Sequence, residues 1–305
     1  MRVVVVGAGG LGSYVGAVLS RAGHDVTLVT RGDHRTMIEA EGLRVRSHAG
    51  DFVVHPSCVG SALELERADL AFLGTKTFSL DEVAPQLVHL AGTGAYVVSL
   101  LNGVTAWERL VAHGIPEDQV ADGVAYMTSF RVEPGVVERR AAHQRIVMGE
   151  NAAASVVEET FRDTLVEIET ARHIRVELWE KMCVVCSLAV LCALGERTMG
   201  SVRSHPFGAD LQTAAVAEVL AVGRARGVPI PEDAEARIDE ALDRFPDDFF
   251  PSVIHDLTSG RPTEMEDLGG TVARMGRSRG IPTPLHDAGT MIVQLAEARR
   301  GARPR

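Results

Sequence analysis

Lys181 is the last charged residue of "WEKMCVVCSLAVLC" (179–192), a stretch holding three of the chain's four cysteines. Three chemistries could use such residues: a metal site, a redox pair, or a single amine at the mouth of a buried helix. On a helix, positions 181, 185, 188 and 192 share a face that reads Lys, Val, Leu, Cys. Cys183 and Cys186 lie on another face as C-x-x-C. Structural zinc takes four ligands, usually as two pairs. Only Cys192 and the distant Cys58 remain, and no histidine stands at ligand spacing, so no metal is expected. A thioredoxin-like pair needs its own βαβ setting, whereas this one lies inside a helical run. The cysteines therefore read as small core hydrophobes. Two readings stay open for Lys181. Desolvated beside a cleft, its ammonium becomes a better acid; otherwise it snorkels at a helix end.

The second constellation opens the chain, in "RVVVVGAGGLGSYVGAVLSRAGHDVTLVTRG". Val3–Val6 is a β-branched run suited to a strand buried on both faces. The loop Gly7-Ala8-Gly9-Gly10-Leu11-Gly12 follows, with G-x-G-x-x-G spacing. Tyr14–Arg21 then reads as a helix and Val26–Val29 as a second strand. Gly7 makes the tight turn, Gly9 admits a pyrophosphate to the backbone, and Gly12 lets helix and strand pack closely. The helix N-terminus offers free N–H groups and the positive end of its dipole. After the second strand, Arg31 presents a planar fork suited to the 2′-phosphate of NADPH. The alternative makes Arg31 a surface charge and gives the ribose to Asp33. NADPH is the expected cofactor.

Strands and helices keep alternating. Ala68–Lys76 reads as a buried strand ending in Lys76, and Ala95–Gly103 as another ending in Asn102-Gly103. Ligands of open α/β sheets bind at such C-terminal strand ends. Beyond about Ile174 the pattern becomes helical. Two segments finish in Arg-Gly-(Val/Ile)-Pro-x-Pro, a helix-stop signature. Thr263 and Glu266 have the spacing of a capping box, which puts Glu264 in the first turn of a helix. The tail "RRGARPR" reads as frayed. The expected fold is therefore α/β: an NADP-binding Rossmann domain over 1–173 with a doubly wound parallel sheet, then an all-helical substrate and catalytic domain over 174–305. The cleft between them is the expected small-molecule site.

Bulk properties narrow the partners. The 305 residues are 46% apolar and 24% charged, with a net charge of −10. That balance argues against nucleic acid and anionic membranes, which are bound through clustered Lys and Arg. No apolar run approaches the ~20 residues of a membrane span, and no signal sequence is read at the start. Four cysteines make no disulfide framework, so a reduced, cytoplasmic protein is expected. Apolar helix faces in the second domain would permit a homodimer.

Together, "GAGGLGSYVG", "VTLVTRG", "GTKTF", "SLLNGV", "WEKM" and "SVIHDLTSGRPTEMEDLGG" resemble the ketopantoate reductase (2-dehydropantoate 2-reductase) family, in order and over nearly the whole chain. The resemblance implies NADPH-dependent reduction of a 2-oxo acid to a 2-hydroxy acid, and a second domain like the C-terminal domain of 6-phosphogluconate dehydrogenase. It implies that Lys181 is the catalytic acid, that Glu264 supports it and binds substrate, and that Asn102 bonds near the reacting carbonyl and the cofactor. Ser252 would take the substrate carboxylate and Lys76 would stand near the nicotinamide. The family pattern has asparagines at two substrate-facing positions that are Val185 and Ala189 here, and Phe249 and Phe250 add aromatic bulk before Ser252. Buried polar donors discriminate strongly, so the loss of two points to a less polar branched or aromatic 2-oxo acid, or an imine, as the alternative to ketopantoate. A non-catalytic NADP(H) sensor is the reading from another class.

Overall fold

The computed structural model describes residues 1–48, 50–140, 144–195 and 197–299. The chain divides into two compact units, Met1–Leu101 with Thr105–Ile174, and Asn102–Val104 with Arg175–Arg305. All but the first residue of the expected frayed tail lies outside the described residues.

The first unit carries strands β1 (Arg2–Val6), β2 (Asp25–Val29), β3 (Leu43–Ser47), β4 (Phe52–Val54), β5 (Ser57–Val59), β6 (Leu70–Leu73), β7 (Tyr96–Ser99), β8 (Val120–Tyr126), β9 (Ser129–Glu133), β10 (Val136–Arg139), β11 (Arg145–Gly149) and β12 (Glu167–Ala171). Its helices are α1 (Gly10–Arg21), α2 (Gly32–Glu41), α3 (Leu80–Gly92), α4 (Ala106–Ala112) and α5 (Ala152–Phe161). The principal sheet has the order β12-β11-β8-β7-β6-β1-β2-β5 among the described residues. Its pairs are parallel except where β11 runs against β8. Val3–Val6 is at most 3% exposed, as a strand covered on both faces requires. The chain turns to β2 on one side of β1 and to β6 on the other, so strand order reverses there. A crevice opens at such a switch point, at the C-terminal ends of the strands.

A second sheet, ordered β4-β3-β10-β9, forms no part of the sequence expectation. It covers α1. Tyr14, Val15, Val18 and Leu19 of that helix share one buried cluster with Val5 and Leu28 of the principal sheet and with Leu43, Val45 and Val137 of the second. Being covered on two sides, α1 is apolar round most of its circumference. The signal for β3 is a strict alternation, with Leu43 and Val45 buried and Arg44 and Arg46 exposed.

The second unit holds α6 (Ile174–Ala193), α7 (Met199–Arg203), α8 (Gly208–Ala225), α9 (Ala234–Asp243), α10 (Ser252–Thr258), α11 (Gly269–Arg279) and α12 (Pro284–Arg299). From Cys186 to Ala193 every residue of α6 is buried, the mark of a helix enclosed by its neighbours. Cys183, Cys186 and Cys192 lie in that core. Burial pushes their thiols up, Cys192 to about 12, which suppresses the reactive thiolate. Gly227 and Gly280, just past α8 and α11, take positive φ and end both helices where the Arg-Gly signature stands. The helix expected from Thr263 begins instead at Gly269, after turns over 265–268. The capping box is not made because its groups are engaged elsewhere. Glu297 accepts the Thr263 backbone N–H at 2.7 Å, and Glu266 is taken by Arg274 and Gln294. Among the described residues no helix is long and apolar enough to cross a membrane.

Candidate active site

In the first unit the glycine loop leaves the end of β1. Gly7 has φ 99°, and a Cβ there would lie 2.7 Å from the Thr75 backbone nitrogen, so only glycine fits. A Cβ on Gly12 would stand 2.1 Å from the Gly7 carbonyl oxygen. This contact brings α1 directly over the strand end. Gly9 is the N-cap of α1, with no side-chain cap and no acidic residue in the first turn. A Cβ on Gly9 would meet only the Gly74 oxygen, at 3.7 Å. The helix start therefore has no side-chain cap among the described residues and lies beside open space, which fits a pyrophosphate. Gly10 lies under β9, and Leu11 and Ala8 pack into the core and hold the loop from behind.

Arg31 directly precedes α2 and is its N-cap. Its Nε donates to the Gly60 carbonyl at 3.3 Å, and one terminal nitrogen lies 3.8 Å from Glu82. With its side chain 68% exposed, it is open to an added anion. Asp33 is exposed in the first turn of α2. Strand β6 ends at Leu73, earlier than expected, so Lys76 stands beyond it, half-buried, at the entry to a 3-10 turn over Thr77–Ser79. That turn is tied to α4, because Arg109 donates to the Thr77 carbonyl at 3.3 Å and pairs with Asp81 at 2.9 Å. Arg109, and then His113, hold the Asp81 carboxyl below its ordinary range.

His34 was not among the expected residues. It is 4% exposed and links three elements. Its Nδ1 accepts the Gly135 N–H at 2.9 Å, so Nε2 carries the proton and donates to Ser13 Oγ at 3.1 Å. Burial, then the charge of Arg131, lower its pKa to about 4 and keep it neutral. It thereby fixes α2, and with it Arg31, against α1 and the β9–β10 turn. Its position in the first turn after Arg31 was legible, but no periodicity marks a bridging histidine.

In the second unit, Lys181 is half-buried on α6. Burial lowers its pKa to about 8, and the opposing charge of Glu264 limits the fall. Neighbouring Glu180 is engaged by Arg237 at 2.6 Å and 3.1 Å. Glu264 is 4% exposed, in the irregular segment before α11. Asn102, expected at the end of a Rossmann strand, lies beyond β7, and Asn102–Val104 groups with this unit. Val104 packs on the helical core, and a Cβ on Gly103 would lie 3.8 Å from the Asp267 carbonyl oxygen. Ser252 is half-buried as the first residue of α10. Val185 is half-buried, whereas Ala189 has no exposed surface and belongs to the core beneath. Lys181, Glu264, Asn102, Ser252 and Val185 thus share one unit, while the glycine loop, Arg31 and Lys76 share the other.

Residues 3–153 match the family model described as ketopantoate reductase PanE/ApbA, and residues 173–298 match its C-terminal counterpart. A 2-dehydropantoate 2-reductase of Halobacterium salinarum is 30% identical, covering 97% of this chain and 99% of its own. The crystal structure of a PanE/ApbA family ketopantoate reductase from Ralstonia eutropha JMP134 superposes with a TM-score of 0.92 at 29% identity, over 99% of this chain and 100% of that one. A D-mandelate dehydrogenase solved with NADH and anilino(oxo)acetate shares the fold, with a TM-score of 0.90 at 22% identity over 99% and 100% of the two chains.

Proposed function

Because the chain belongs to the ketopantoate reductase family of oxidoreductases, we propose that it reduces a 2-oxo acid to the 2-hydroxy acid with NADPH, 2-dehydropantoate to pantoate being the first candidate. The observation that carries this reading is Lys181, an amine held at about 8 by burial opposite Glu264. Near neutral pH such a lysine is still protonated, yet it gives up its proton more readily than an ordinary one. NADPH, when bound, would supply the hydride for the carbonyl carbon. As the carbonyl π bond opens, Lys181 hands its proton to the oxygen. The neutral amine left behind suits a desolvated site and recovers its proton from solvent. Glu264 holds the ammonium in place and Asn102 donates to the same oxygen. The Ser252 hydroxyl takes the substrate carboxylate. The glycine loop and α1 would hold the pyrophosphate, Arg31 the 2′-phosphate, and Lys76 would lie near the nicotinamide. Four free cysteines suit a reducing cytoplasm.

A second reading rests on Val185, Phe249 and Phe250. These residues leave few polar partners for a hydroxylated substrate and favour an apolar, branched or aryl 2-oxo acid. The D-mandelate dehydrogenase with its bound anilino(oxo)acetate is consistent with that choice. The test is NADPH oxidation by the purified protein against 2-dehydropantoate, branched 2-oxo acids and phenylglyoxylate, with NADH in parallel. Preferred turnover of 2-dehydropantoate supports the first reading and preferred turnover of phenylglyoxylate the second. NADPH binding without turnover of any oxo acid overturns both and favours a sensor.

A further inference from the structure

The segment that leads into Ser252, Phe245–Pro251, has little regular structure of its own, yet it is fastened at several points to α7. Arg203 makes the fastening. One terminal nitrogen donates to the Asp243 carbonyl at 2.8 Å; the other donates to the Phe245 carbonyl at 2.7 Å and to Asp247 Oδ1 at 2.6 Å. Two backbone bonds lie beside it, from Met199 N–H to the Phe249 carbonyl at 3.2 Å and from Gly200 N–H to the Asp247 carbonyl at 3.0 Å. The approach is so close that a Cβ on Gly200 would lie 2.7 Å from the Asp247 oxygen and 2.9 Å from its Cα. Met199, which begins α7, is fully buried in the helical core and ties the anchor to it. On the segment itself, Phe245 and Phe249 meet in a tilted ring contact with centres 4.4 Å apart, and Phe249 and Phe250 pack on the same core.

We propose that Arg203, with Gly200 beneath the segment, is a positioning residue for substrate selection: it fixes Phe245–Pro251 so that Phe249, Phe250 and Ser252 form a preset wall against the side chain and carboxylate of the oxo acid. This rests on the reading of Ser252 and the two phenylalanines as substrate-facing. Arg203 touches no reacting atom. It acts by removing the freedom of a segment that would otherwise adapt to acids of many shapes, and a preset wall discriminates better than an adaptable one. Lysine can replace it only in part, since one ammonium cannot span two carbonyls and a carboxylate with the geometry of a planar fork.

The experiment compares the wild-type protein with Arg203→Ala, Arg203→Lys and Gly200→Ala. Steady-state rates are read with NADPH and either 2-dehydropantoate or phenylglyoxylate, and backbone amide exchange across 245–250 is read by mass spectrometry. With Arg203→Ala, KM for the preferred acid should rise about tenfold and kcat should stay within about threefold. The kcat/KM ratio between the two acids should move toward unity, KM for NADPH should not change, and the segment should exchange faster. Arg203→Lys should recover part of the loss. Gly200→Ala, which favours the helix intrinsically, should reproduce the lost selectivity by displacing the segment. Unchanged exchange, or a parallel fall for both acids with the ratio intact, overturns the proposal. If the wild-type protein reduces neither acid, the functional reading fails and the substrate role of Arg203 falls with it; amide exchange then decides whether the fastening itself holds.

Discussion

Around the glycine loop, geometry follows from missing atoms: no Cβ at Gly7 or Gly12, and a glycine N-cap without a side chain at the start of α1. Around Lys181 it follows from an added one, a single nitrogen whose acidity is set by what encloses it. A backbone cradle admits no side chain at Gly7 or Gly12, and it recognises a phosphate common to many ligands. A buried amine is specific in chemistry, and its surroundings must be correct in charge and shape. The first unit is therefore expected to be robust in what it binds, and the second easily altered in what it turns over.

Removing the amine should show the largest contrast. Lys181→Ala is expected to lower kcat about 10³-fold, the range of a lost general acid, while NADPH affinity measured by fluorescence titration stays within about threefold. A comparable loss of cofactor binding would erase the distinction between the units. A test of the first unit alone follows from His34. Its folded pKa of about 4 lies below the unfolded value of 6.5. Between those values the unfolded chain binds the extra proton, so stability is present above about pH 6.5 and falls as pH drops toward 4. Urea unfolding should show about 2 kcal/mol of stability lost from this group between pH 7 and pH 5, and His34→Gln should flatten that slope. Arg31→Ala should raise KM for NADPH about tenfold, as the loss of a charge-assisted contact does, with KM for NADH unmoved. An equal rise for both would make Arg31 a surface charge. The smallest effect concerns the alkaline limb of the reductive kcat profile, which is expected near pH 8 as Lys181 loses its proton. Glu264→Gln removes the charge that opposes this loss, so the limb should move to lower pH.

The two regions also differ in how far they can be read from sequence. β1, β2 and α1 are legible because continuous β-branched runs and spaced glycines have few alternative uses. The second sheet escaped because the alternation of β3 runs over only five residues, and because its partner β10 arrives from far along the chain. Thr263 and Glu266 have capping-box spacing, but Glu297, Arg274 and Gln294 compete for the same groups, and spacing cannot report competition. Asn102 is legible as a turn after a strand, whereas its grouping with the helical unit is a tertiary fact carried by Val104 and Gly103. Arg203 gave no signal at all, since the carbonyls it holds belong to residues about forty positions away.

The assignment of Asn102–Val104 bears on how this protein could be recombined. The chain leaves the first unit at Leu101, supplies three residues to the second, and returns at Thr105 long before it crosses for good after Ile174. A chimera that exchanges only 175–305 would import a helical half grown around another protein's turn and set it on this one's Val104. Grafts that carry 102–104 along with the helices keep the inserted turn and its host together, so in shuffling experiments the heritable module is the discontinuous one.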